Sequence, residues 1–467
     1  MLLRAGKRAE RLLLGLCAVA IVLSLAAPGW RALHGEARDY TWAHYRVGAA
    51  FFGDLGYTGM YDAMLANDRA GHWRGPAPVE LVRDLGTYGL RAPGEGVSDP
   101  ALADTVAFFQ PRLSPGTWRS FFRDKGYNGS PAWWATSGRV VARVPLRWIA
   151  AVGVLDVALL GGALLALALT FGLRPASLVS AWIALFYGAE QHLVGGPLQL
   201  DWIALFIGSI CLIQRARPGA AGVLMGAAAM LRVFPVLLLA GPLLAAAARW
   251  HAVARVPTAW RRFAAGVVLA VGIGLALGAT SPRGPAAWGE FVTKLEVHAA
   301  NHHLGDRRIG LKPLLAWVPQ GERTDAEARA ERTARWPARA PTARALTGFL
   351  AACWVMALLA SARRRPQAVR TPEDETRELI PLLLLGLALV FLVTPMSRYY
   401  MLLPALLLVR PGRRGEAASL FGIVAVVHAV RALGWPDATV YAVANLGWLA
   451  LFSVVVGRST RALSRSS

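Results

Sequence analysis

Apolar runs recur along almost the whole 467-residue chain. A bilayer core about 30 Å thick takes ~20 apolar residues as a helix. Runs near or approaching that length lie at 11–28, 148–172, 176–191, 198–214, 219–231, 233–248, 263–280, 343–361, 379–394, 399–409, 417–433 and 438–456. They predict an all-α polytopic membrane protein of about 12 transmembrane helices, in a range of roughly 10–13. The runs 219–231 and 233–248 also read as one long, kinked helix. Two long polar stretches interrupt the pattern. The chain thus divides into a first transmembrane helix (1–28), a large loop with interfacial helices (29–147), a transmembrane block (148–280), a second loop (281–342), a C-terminal transmembrane block (343–456) and a tail (457–467). A signal peptide is the alternative for residues 1–27, but the run is long for one and Pro28 follows closely, so a retained helix is expected.

Basic residues predict the orientation. Arg4, Lys7, Arg8 and Arg11 precede the first run, which keeps the N-terminus cytoplasmic. Alternating from there, the inner connections are Arg174, Gln214 to Arg217, Arg249 to Arg262, Ser361 to Arg377, Arg410 to Glu416 and the tail from Arg458, and nearly all are basic. The short outer connections, His192 to Pro197, Thr394 to Tyr399 and Gly434 to Asp437, are poor in charge. Both long loops fall outside, in the periplasm of a multi-pass bacterial inner-membrane protein. In the second, Gly321 to Arg339 is charged, with Trp336 its one large apolar side chain, and reads as a surface helix or loop.

Composition agrees. The chain is 55% hydrophobic and only 17% charged, too apolar for a cytosolic enzyme. Its net charge of +22 would point to nucleic acid in a soluble protein. Here the alternation of basic connections absorbs the excess, with some attraction to anionic lipid, and nucleic acid is not an expected partner. Cys17, Cys211 and Cys353 sit singly in apolar runs, which argues against a disulfide framework or a zinc site. No repeat of about 20–50 residues and no relation between the two halves is visible.

The informative residues are the polar ones that membrane insertion does not explain. Asp39 opens a stretch, Asp39-Tyr40-Thr41-Trp42-Ala43-His44-Tyr45, whose aromatics continue at helical spacing to Phe52. This predicts a helix lying in the interface, with Asp39 as its N-cap, as a functional carboxylate, or as both. Gln199 and Asp201 open a run from outside, and Asp201 is either a helix start or a lining residue. Arg232 has apolar sequence on both sides, where a cation costs about 2.5–3.5 kcal/mol to insert. It therefore belongs in a tight outer turn before Pro235, or faces an anion in a polar cavity. His298, His302 and His303 cluster in the second loop; the acids nearby complete no metal-ligand set. Arg398 stands in the outer connection Thr394 to Tyr399, able to snorkel to headgroups or to reach a lipid phosphate.

Together these pieces resemble a polytopic glycosyltransferase of the C superfamily. They are similar to glycosyltransferase family 87, the polyprenol-phosphate-mannose-dependent transferases and their bacterial relatives. The resemblance rests on Asp39, Tyr45, Gly48-Ala49 and Gly59-Met60-Tyr61-Asp62 after the first run. It rests also on Gln199 before a span, on the small-residue helix ending in Arg232-Val233-Phe234-Pro235, and on Pro395-Met396-Ser397-Arg398-Tyr399-Tyr400 with Leu403-Pro404. The departures are Arg232 for the usual Lys, one Pro fewer beside it, altered neighbours of Gln199, and Arg398 for the usual aromatic. The resemblance implies a sugar donor on a polyprenyl phosphate and a glycan or lipid-linked acceptor. Asp39 would be the general base, Arg232 and Arg398 the contacts to the donor phosphate, and Tyr45, Gln199, Asp201, His302 and His303 the substrate contacts. No cofactor or nucleotide loop is implied. A membrane transporter or flippase, or an envelope polysaccharide polymerase, is the alternative expectation.

Overall fold

The computed structural model describes residues 15, 38–70, 79–185, 195–300, 308–319, 321, 323–363, 371–394, 398–409 and 414–465. The run expected at 11–28, the loop residues 301–307 with His302 and His303, and 395–397 lie outside the described residues, apart from Gly15. What is described is almost wholly helical; its strands are a two-residue antiparallel pair, Val82–Arg83 with Leu90–Arg91. Among the described residues seven helices are long and apolar enough to cross a membrane: Leu146–Phe171, Phe234–His251, Thr258–Gly278, Glu327–Leu359, Pro372–Val393, Gly415–Ala432 and Asp437–Gly457. Leu173–Leu185, Asp201–Gln214 and Pro218–Leu231 are shorter apolar helices. The protein is an all-α polytopic membrane protein.

Small residues bring its helices together. A Cβ on Gly222 would stand 2.0 Å from the Phe263 carbonyl oxygen, and one on Gly266 2.1 Å from that of Gly219. The helices Pro218–Leu231 and Thr258–Gly278 therefore touch backbone to backbone, where dispersion drives association in lipid. Between Pro218–Leu231 and the next helix the chain breaks sharply. Arg232 is extended (φ −140°, ψ 115°), and Phe234–Leu239 follows as a 3-10 turn with Pro235 near its start. The chain therefore turns tightly at Arg232, and the single kinked helix does not form.

The first loop folds around its own aromatic core. Trp42, Phe52, Tyr57, Tyr61, Phe109, Trp118, Phe121, Phe122, Tyr127 and Trp133 are buried there, joined by Ala287 and Phe291 from the helix Ala286–Ala300. Each such ring removes ~150–250 Å² from water, about 4–6 kcal/mol before conformational entropy. Three short helices start with the same device, a capping side chain followed by proline. Asp99 accepts from the N–H groups of Ala101 and Leu102, Ser114 from Thr117 and Ser130 from Trp133, with Pro100, Pro115 and Pro131 next. Asp62, in the family-like Gly59–Asp62 stretch, is a fastener: Arg91 holds both its oxygens and the Gly94 N–H donates to it at 2.8 Å.

This unit is tied to the bundle. Gly153, in the helix Ile149–Phe171, lies so close to Gly195 that a Cβ would stand 2.7 Å from the Gly195 Cα. Asp156, fully buried one turn on, accepts the N–H groups of Gln199 and Leu200, both at 2.9 Å. The Trp42 indole donates to the Gly195 carbonyl at 2.8 Å, and Ser130 to that of Met230 at 2.6 Å. The second loop's charged stretch forms the start of a helix, Asp325–Arg363, that contains Pro337 and Pro341 and runs past 342 into an apolar stretch long enough to cross a membrane. Trp336 is buried against Ala316, Ala340 and Ala343, with the Lys312 ammonium 5.3 Å from its ring centroid.

Candidate active site

Asp39 is the first residue of the helix Asp39–Ala50. The N-cap is Arg38, without a side-chain capping bond, so the expected capping role of Asp39 is not realised. Arg38 is anchored from the bundle: its N–H donates to the Gly195 carbonyl at 3.2 Å and its guanidinium to Gln199 Oε1 at 3.0 Å. The Asp39 carboxylate is half-buried, and no hydrogen bond to it occurs among the described residues. Burial pushes it up to about 6 from 3.8, with Arg112 pulling it back. A carboxylate tuned there is ionised at neutral pH yet basic enough to take a proton as bond formation proceeds.

The helix itself departs from the interfacial reading. Trp42, Ala43, His44, Tyr45, Val47, Gly48 and Ala49 are all buried, and the Tyr45 ring meets Trp133 edge-on at 5.0 Å. Its aromatics pack into the first loop's core instead of lying along lipid. Gly48 makes this possible, since a Cβ there would meet the Tyr127 ring at 2.3 Å.

Tyr45, Asp201 and Arg232 come together beneath this helix. Arg232 Nη1 donates to the Tyr45 hydroxyl at 2.8 Å, which donates to Asn128 Oδ1 at 2.9 Å. Asp201 accepts from Ser137 at 2.6 Å and lies within electrostatic reach of Arg232. Ser137 sits in a π-turn, Trp134–Gly138, that aims it there. Arg232 is only 7% exposed, so its charge is an internal one, held by a phenol and opposed by a carboxylate. Gln199 lies apart from this trio, on Arg38. Arg398 begins the 3-10 segment Arg398–Val409; its side chain, like His302 and His303, is outside what is described.

A second constellation was not anticipated. The Tyr40 hydroxyl, next along the helix from Asp39, donates to Asp124 Oδ2 at 3.0 Å. Burial works against the charge of Asp124. The His44 ring beside it, the Lys125 N–H, the Tyr40 hydroxyl and Arg308 outweigh that and hold the carboxyl below its usual range. Around Tyr88 stand Lys125 at 5.5 Å and Lys294 at 4.8 Å from the ring centroid, and His298 Nδ1 at 3.2 Å from the hydroxyl. Arg308 and Lys312 join them electrostatically. Burial and Arg308 bring Lys125 down to about 7, burial brings Lys294 down to about 8, and burial with Lys125 brings His298 down to about 3. His298 is thus neutral at pH 7. His44, stacked on Phe121 at 3.8 Å and placed between the Tyr40 carbonyl and the Tyr61 hydroxyl, is lowered by burial as well.

The sequence carried a signal for this cluster. The chain has 46 arginines but only four lysines, and Lys125, Lys294 and Lys312 are three of those four. Chemically, three cations and a lysine poised near neutrality, around one carboxylate and one phenol, suit a multiply charged anion, whose arrival would favour the charged form of that lysine. Among the described residues no three His, Cys, Asp or Glu side chains converge as a metal site. Compared with protein-family models, curated proteins and solved structures, the chain matches none.

Proposed function

We propose that the protein is an inverting glycosyltransferase that moves a hexose from a polyprenyl-phosphate donor to a glycan or lipid-linked acceptor. The proposal includes the finer architecture, about 12 membrane helices in a C-superfamily bundle, with the site facing the periplasm and both termini cytoplasmic. The observation that carries it is Asp39: a half-buried carboxylate, raised to about 6, on the helix whose next residue bonds into a cation cluster.

In this reading the acceptor hydroxyl attacks C1 of the donor sugar. Its proton passes to Asp39, the C1–O bond to phosphate breaks with its electron pair on the phosphate oxygen, and the anomeric centre inverts. Negative charge grows on the leaving group, and preplaced cations lower that cost. Lys125, Arg308 and Lys312 are suited to receive it by their partial exposure, with Arg398 as a further contact. Arg232, held by Tyr45, supplies a buried positive charge behind the helix. Gln199 sets the start of that helix through Arg38, and Tyr45 and Asp201 hold Arg232. His302 and His303 belong to the loop carrying Arg308 and are assigned to the acceptor or phosphate.

The transporter alternative would use a carboxylate inside a span. Asp156 is such a group, but its two oxygens accept the Gln199 and Leu200 N–H groups, which accounts for it without a transported ion. The test is transfer of labelled sugar from polyprenyl-phosphate-hexose by membranes containing the protein. Asp39→Asn should lose at least ~10²-fold in rate with normal membrane insertion. Full activity in that variant would remove the mechanism, and normal glycans in a deletion strain would remove the function.

A further inference from the structure

A groove at the other end of the bundle plays no part in this reading. The spans Phe234–His251 and Thr258–Gly278 part from the turn at Ala254–Pro257 and leave about 380 Å³ between them. That lies within the ~300–1,000 Å³ of small-molecule sites. Its floor is apolar and buried, made by Leu239, Phe263 and Leu379. Its rim is apolar and exposed: Leu243 is 63%, Trp250 59% and Val268 70% exposed. Two cations, Arg255 and Arg261, line the same groove. Neither makes an ion pair among the described residues, and the Arg261 side chain donates to Thr258 Oγ1 at 3.1 Å. Two acids stand beside the groove: Glu378 is engaged by Arg249 at 3.6 Å, and Glu375, whose carbonyl accepts from the groove-lining Trp260 indole at 2.9 Å, also acts on Arg249.

The chain itself says which end this is. Arg232, bonded to Tyr45 of the Asp39 helix, stands at the start of the span Phe234–His251, and Arg255 lies just past its end. The groove's mouth is therefore on the membrane face opposite Asp39. We propose that it binds an anionic glycerophospholipid, one acyl chain along the apolar floor and the phosphate between Arg255 and Arg261. The charge decides the headgroup. Guanidinium forks match phosphate oxygens, and a zwitterionic lipid would bring its own ammonium towards two cations. Basic pockets between membrane helices select anionic headgroups in this way, and Trp250 sits where interfacial tryptophans anchor. A soluble phosphate would leave the apolar floor unused. The site is independent of sugar transfer and stands or falls separately from it.

The experiment is native mass spectrometry of the full-length protein released from nanodiscs of phosphatidylglycerol or phosphatidylcholine. The wild type should retain phosphatidylglycerol preferentially. Arg255→Gln with Arg261→Gln should lower that retention roughly 30-fold, about five-fold per cation, and leave phosphatidylcholine unchanged. Ala264→Trp, which fills the groove from an exposed wall position, should lower retention of both lipids. Equal retention of the two lipids by the wild type, or unchanged retention by the double variant, would overturn the proposal. So would displacement of phosphatidylglycerol by inorganic phosphate, which would mark a site for a soluble anion.

Discussion

A carboxylate raised to about 6 leaves a mark on a rate profile. As a base, Asp39 works only when ionised, so kcat/KM should climb as pH rises through about 6 and level off above it. Its effect on stability runs the other way. The folded state holds this proton more tightly than the unfolded chain, so the contribution favours folding at low pH and is lost between about 3.8 and about 6. Acid loss of activity should therefore appear without a fall in melting temperature traceable to this group; parallel rate and unfolding curves check both. A second prediction concerns the cations. Lys125→Gln should raise the KM for the lipid donor roughly 10–100-fold, the worth of a charge-assisted bond, with a smaller change for the acceptor. An unchanged donor KM would remove Lys125 from the phosphate seat. Asp39 stands out in the sequence because it is an acid soon after the first apolar run. Lys125 and Lys294 were not, because they are 169 positions apart in sequence and become neighbours only when both loops meet at Tyr88.

At the scale of elements, hydropathy and turn chemistry told most of the story. The break at Arg232 was readable from a cation beside a proline. The starts at Asp99-Pro100, Ser114-Pro115 and Ser130-Pro131 are written in the sequence as a cap followed by a ring that has no N–H to lose. Periodicity along Tyr40–Phe52 announced a buried face but not what buries it, which is why lipid was expected where Trp133 and Tyr127 stand. Asp156 was silent for a similar reason. One acid in an apolar run says only that a partner exists somewhere; the partner is a backbone turn about 43 residues away. Removing it should be costly. Asp156→Ala strands the N–H groups of Gln199 and Leu200 at about 1–3 kcal/mol each and should lower the melting temperature in detergent, whereas the half-buried Thr117→Ala should lose only a local contact to Ser114. Equal melting temperatures would show that the turn Gly195–Leu200 is held by other means.

For the whole molecule, the open question is how many times the chain crosses. Arg398–Val409 is the segment on which the count turns. Twelve residues of 3-10 helix rise about 2.0 Å each, roughly 24 Å, a little short of the hydrocarbon thickness. If it crosses, five passages separate Ala254 from Asp437, and cysteines placed at these two positions should react with an impermeant thiol reagent from opposite sides. Reaction from one side would mean that this segment turns back and that the count falls by one.

The helix Asp325–Arg363 has 39 residues and so extends about 58 Å, close to twice the depth of the oily layer it pierces. Pro337 and Pro341 lie inside it, each taking one N–H from its ladder, and Trp336 beside them packs under the Lys312 ammonium. The two prolines put a joint in the rod at that point, so a tilt imposed on its C-terminal half by bilayer thickness is absorbed there.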